Sequence, residues 1–145
     1  MKRLVTQCGG HPRTQRRAIA LLDSKVLAVI AEQGALHLRL SAYVHVSAGS
    51  PGIDPGTAWA QELDLVLGEA RLEESPLEGT LWISEGEVAI DGAALQLLPL
   101  DLQRVGRVRV ALAGAEGRLL AEGASIFIAT RGEPEFVEKF AGESP

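Results

Sequence analysis

Residues 36 to 47 read Leu-His-Leu-Arg-Leu-Ser-Ala-Tyr-Val-His-Val-Ser, and no other segment of the chain constrains its fold as tightly. Leu36, Leu38, Leu40, Ala42, Val44 and Val46 fall on one parity. His37, Arg39, Ser41, Tyr43, His45 and Ser47 fall on the other. Side chains on a strand alternate between its two faces, so this pattern specifies a strand with one dry and one polar face. A dry face has to be buried against other apolar surface, which predicts a packed β core. The polar face carries two of the three histidines and the only tyrosine, so it is where a site is first expected.

The same alternation recurs along the chain. Trp59, Gln61, Leu63, Leu65 and Leu67 share one parity up to Gly68, where the pattern slips to Ala70 and Leu72. A one-residue slip at a glycine is the mark of a β-bulge. Short strands are predicted at 81–83 and 88–90, with a hairpin turn at 84–87 between them. Further strands are predicted at 105–113, 118–122 and 126–128. Pro99 demotes the apolar stretch 95–102 to an edge or a crossing segment. Gln33-Gly34, Asp91-Gly92 and the 114–117 stretch are turn signals. The segment 18–33 has both helical and strand periodicity. A strand over 25–32 with helical character before Asp23 is the expectation, because Gln33-Gly34 then makes a tight turn into the 36–47 strand. Phe136, Val137 and Phe140 are expected to tuck onto the body.

About eight or nine short strands, with turns at roughly ten-residue spacing, predict an antiparallel β-sandwich, a small β-barrel being the alternative. The organisation that follows is a basic irregular arm over 1–17, one β domain over 18–140 and a loose tail over 141–145. At 145 residues and 46% hydrophobic content the chain is one domain with a real core. Only 4% is aromatic, which weakens the case for ring-stacking sugar or single-strand nucleic-acid platforms. Residues 1–22 carry five basic residues and no acid, whereas the rest carries nine basic and nineteen acidic residues. A basic arm on an acidic body is a weak nucleic-acid signal. One cysteine permits no internal disulfide, and no apolar run has the length of a membrane helix, so a cytoplasmic protein with no membrane contact is expected.

Motifs for chemistry are sparse. His37 and His45 are eight extended residues apart, about 27 Å, too far to share a metal ion. Cys8-Gly9-Gly10-His11 has ligand-like spacing but lacks a second half-site. No nucleophile elbow or phosphate loop occurs, and no catalytic residue, metal or cofactor is assigned. Glu73–Gly79 is expected to be an acidic loop, and Arg104, Arg107 and Arg109 an outer stripe paired to acidic neighbours. The remaining candidates lie around the Gly- and Pro-rich loop 47–58. Tyr43 and His45 adjoin it on the strand, Asp54 and Thr57 lie in it, and Trp59 follows it. An Asp54 folded back over His45 would orient the imidazole, while the bland alternative is a turn in which Asp54 holds backbone amides.

The Ala42–Ser47 to Trp59 stretch, with its Asp-Pro-Gly-Thr core, resembles segments of small uncharacterised bacterial β-domains, and the likeness extends to Gly132-Glu133-Pro134. It covers about half the chain. It implies the strand reading and no activity. The function expected is therefore a non-catalytic binding or interaction module, with a protein partner or a second copy of the chain as its partner. The alternatives are a small-ligand or substrate site formed by Tyr43, His45, Asp54, Thr57 and Trp59, or weak nucleic-acid binding through the arm.

Overall fold

The computed structural model describes residues 15–76, 78 and 80–141, and among these every regular element is a β-strand. Ten strands follow in chain order: β1 Arg16–Glu32, β2 Ala35–Ser47, β3 Gly56–Gly68, β4 Arg71–Glu74, β5 Leu81–Trp82, β6 Glu85–Ile90, β7 Ala93–Leu95, β8 Leu97–Pro99, β9 Gln103–Gly114 and β10 Gly117–Phe140. They form one antiparallel sheet in the order β5-β1-β2-β3-β10-β9-β6-β7, with β4 on β10 and β8 on β1. The series does not close into a barrel. It folds over itself as a sandwich, because its apolar parity needs a single interior.

The dry parity of β2 builds that interior. Leu36, Leu38 and Leu40 oppose Leu67, Leu65 and Leu63 of β3, and all six are at most 2% exposed. Val88, Ile90, Val108, Val110, Leu112, Leu119 and Ala121 of the other layer join the same cluster. β10 belongs to both layers. Its first part pairs with β9, and its later part, from Ser125, pairs with β3. Between them, at a register shift from Gly123 to Ser125, a Cβ on Gly123 would stand 3.0 Å from the Gly68 carbonyl oxygen. A glycine therefore permits the close backbone contact at the bend.

Several sequence expectations are corrected. β1 is extended from Arg16, so 18–24 contains no helix and the β domain begins two residues before position 18. The helical spacing of Ile19 and Leu22 is incidental; Ile19 and Leu21 are the buried pair, and a bulge between Ala20 and Lys25 shifts the parity afterwards. The 81–90 stretch is not a hairpin. β5 pairs with β1 and β6 with β9, so Ser84 sits at a corner, its N–H donating to the Ala113 carbonyl while that of Ile83 donates to Ser24. Glu73 and Glu74, expected in the loop 73–79, belong to strand β4. The strands expected at 118–122 and 126–128 are parts of one 24-residue strand that also includes 136–140. Phe136 and Val137 do not tuck in, being 54% and 46% exposed. The expected turns at Gln33-Gly34 and Asp91-Gly92 are present, with positive φ at all four residues as two-residue hairpins of this kind require. The slip at Gly68 is a corner, with Glu69 at φ 46°, from which the chain turns into β4.

Past Phe127, β10 pairs among the described residues with β3 alone, which leaves its other edge unpaired there. Pro134, two register shifts and Glu133, Glu135 and Glu138 interrupt that edge. These are the devices by which proteins block edge-to-edge pairing.

Candidate functional site

Register decides which candidate residues meet. Val44 opposes Trp59 and Val46 opposes Thr57, all on the inner face; Tyr43 opposes Ala60 and His45 opposes Ala58 on the outer face. The sheet itself thus separates Trp59 and Thr57 from Tyr43 and His45.

The outer group is closed. His45 is 6% exposed, and its ring packs edge-on against Tyr43 at 5.1 Å and Phe140 at 4.6 Å between centroids. The Tyr43 hydroxyl donates to the Glu138 carboxylate, which ties β10's end to β2. Burial, then the Glu138 hydrogen bond, pushes the Tyr43 phenol up to about 12. His45 Nδ1 is buried with no hydrogen-bond partner among the described residues. Burial pulls the His45 pKa down, against the opposing charges of Asp23 and Glu138, so the imidazole is neutral at pH 7. Asp54 does not orient it. The Asp54 Oδ2 accepts the Ser50 N–H at 2.7 Å, and a Cβ on Gly49 would stand 2.2 Å from the same oxygen. Asp54 is the turn-holding residue of the loop, not the partner of a base.

Among the described residues the inner group is open. Where β1, β2 and β3 pass the end of the core, a cleft of about 420 Å³ is bounded by Gln15, Arg17, Val44, Val46, Thr57, Trp59, Gln61, Leu100 and Pro134. Its size is within the range of small-molecule sites. Trp59 is half-buried and fixed on two sides: its Nε1–H donates to Thr57 Oγ1 at 2.8 Å, and its ring meets Phe136 edge-on at 5.3 Å. Leu100 is held there by its N–H bond to the Arg17 carbonyl at 3.1 Å. Gln61 is 6% exposed, and its Nε2 donates to the carbonyls of Arg131 at 2.9 Å, Glu62 at 3.0 Å and Gly132 at 3.1 Å.

A third group, Asp64 with Arg39 and His37, lies at the middle of the outer face. Arg39 Nε is 3.0 Å and Nη2 3.4 Å from the two carboxylate oxygens, and His37 Nδ1 is 3.4 Å from Oδ2. Asp64 is 5% exposed. Burial would raise its pKa, but the hydrogen bond and charge of Arg39, with lesser help from His37 and Arg131, outweigh it and hold the carboxyl below the usual range. Asp64 in turn raises the Arg39 pKa further. Among the described residues no hydroxyl or thiol is hydrogen-bonded to His37, so the group is a charge clamp across β2 and β3 rather than a nucleophile's base. The sequence signal for it was a lone acid inside the apolar run Leu63–Leu67, but the partner follows only from register.

The expected arginine stripe is paired in part: Arg109 meets Glu122 at 2.8 Å and Arg104 lies 3.9 Å from Asp91, while Arg107 meets Asp91 only through its backbone N–H at 2.9 Å. No group of three or more His, Cys, Asp or Glu among the described residues is arranged to hold a metal ion, and Cys8 and His11 lie outside those residues. No helix among them is long and apolar enough to cross a membrane. The chain matches no family model, no curated protein and no solved structure.

Proposed function

We propose that the protein is a non-catalytic binding module whose ligand surface is the cleft around Trp59. The observation that carries this is the uncovered end of an otherwise dry face. Val44, Val46 and Trp59 continue the parity of the core, yet here a cleft of about 420 Å³ adjoins them. An aromatic ring beside aliphatic side chains, with a few polar groups at fixed positions, is the usual composition of a small-ligand site. Trp59 is already held by Thr57 and Phe136, so ordering it costs a ligand little.

A saturation-transfer screen of apolar ring-containing fragments tests this. Hits are expected that Val46→Glu abolishes by placing a carboxylate in the cleft wall and that His45→Gln leaves intact. Hits that survive Val46→Glu, or none at all, would overturn the reading.

Protein–protein contact is a second reading, favoured by exposed Phe136 and Val137 beside the cleft. Light scattering tests it for a second copy of the chain: a concentration-dependent dimer that Phe136→Ser disperses supports it, and a strict monomer counts against it. Nothing described favours nucleic-acid binding: the arm's residues 1–14 lie outside the described part, and Glu133 adjoins Pro134 of the cleft wall.

A further inference from the structure

Two polar groups on the cleft wall are unmatched. Gln61 Nε2 faces three backbone carbonyls, and an amide nitrogen has only two protons to offer them. That crowd of acceptors fixes the orientation of the amide, because the reverse flip would set oxygen against oxygen three times. Oε1 is therefore turned away from the bulge at 131–132. It makes no hydrogen bond among the described residues, and the small exposed part of Gln61 belongs to the cleft. A nearly buried acceptor of this kind gains from a donor brought by a ligand.

At the other end stands Arg17. It opposes Val46, which opposes Thr57, so it lies at the mouth of the same inner face. No carboxylate among the described residues pairs with it. Arg17 and Gln61 are thus two strands and four residues apart, which a strand spacing of ~4.8 Å and a rise of ~3.4 Å per residue convert to about 17 Å between Cα atoms. With both side chains leaning into the cleft, the span left between their polar ends is on the order of 10 Å. Val44, Val46 and Trp59 lie along that span.

Resting on the cleft as the binding site, we propose that its ligand is an elongated apolar carboxylate with an N–H or O–H donor at the far end. The carboxylate pairs with Arg17, the apolar body lies on Trp59, and the donor meets Gln61 Oε1. The guanidinium supplies two parallel donors to a carboxylate, and the neighbouring aromatic and aliphatic surface lowers the local dielectric in which that pair forms.

Calorimetry on the full chain with three probes tests the assignment: indole-3-butyrate, its primary amide, and 1-methylindole-3-butyrate. The acid is expected to bind about tenfold tighter than the amide, the usual scale of a hydrogen bond to a charged group. Methylating the ring nitrogen removes the donor and is expected to cost a further several-fold relative to the parent acid. Arg17→Met should erase the acid-over-amide preference, and Arg17, on the exposed start of β1, is not part of the core. Acid and amide binding equally, both in a manner lost with Val46→Glu, would overturn the carboxylate assignment while leaving the cleft as a binding site. Binding by none of the probes at millimolar concentration would overturn the assignment, and the fragment screen then decides separately whether the cleft binds at all. An acid preference that persists in Arg17→Met would also overturn it.

Discussion

The two faces of β2 at its C-terminal end have opposite fates. The outer face carries the polar parity, yet it is closed at His45: its ring packs against Tyr43 and Phe140, and Tyr43 is tied to Glu138. The inner face carries the apolar parity, yet among the described residues it is open around Trp59. Polarity of a strand face therefore says how it would like to be solvated, while the reach of the opposite layer decides whether it is. In the middle of the same strands the ordinary rule holds. Leu38 and Leu65 are fully buried on the inner face, and the outer face presents the Arg39–Asp64 clamp.

The largest effect should come from the part of the inner face that is truly core. Leu65→Ala removes a fully buried side chain and is expected to cost about 2–5 kcal/mol in urea unfolding, whereas Val46→Ala at the open end should cost about 1 kcal/mol or less. Equal costs would mean that the cleft is as tightly packed as the core, and the contrast between them would fail.

The clamp comes next. Asp64→Asn keeps the shape but removes the charge that Arg39 and His37 face, and a loss of about 1–3 kcal/mol is expected, less than for full burial because Arg39 is partly solvated. Because the folded pKa of Asp64 lies below that of an ordinary carboxyl, its contribution is present at neutral pH and is lost as the pH falls through the folded pKa. The acid limb of the stability curve should flatten in Asp64→Asn.

His45 gives a smaller effect with the opposite chemistry. Its folded pKa lies below the ordinary histidine value of 6.5, so the unfolded chain takes up the proton first. Its share of stability is complete above pH 6.5 and declines below it, down to the folded pKa. Urea midpoints measured from pH 7.5 to 5 should fall in the native chain and fall less in His45→Phe. Parallel curves would show that the outer face is open to water after all.

Much of the fold was legible because it is written in parity and turns. The alternation at 36–47 and 59–67 and the Gln33-Gly34 and Asp91-Gly92 turns each have a local cause. The continuity of β10 through Gly123 and the corner at Ser84 do not, because both depend on which distant strand accepts the backbone bonds. The candidate site was legible only in half. Thr57 and Trp59 line the cleft; Tyr43 and His45 lie on the other side of the sheet, and Asp54 holds its own loop. Parity alone already placed Trp59 with the apolar residues of its strand. What it could not show was that Gln61 and Arg17 join it, since Gln61 is positioned by the bulge at 131–132 and Arg17 by its pairing with Val46.

The most direct measurement uses the two indole N–H resonances of the chain, Trp59 in the cleft and Trp82 at the far end of β5. On titration with indole-3-butyrate followed by ¹H–¹⁵N NMR, the Trp59 signal and the Gln61 side-chain amide are expected to shift together and saturably, with Trp82 unmoved. A still Trp59, or a shift centred on Tyr43 and His45, would contradict the cleft as the binding surface.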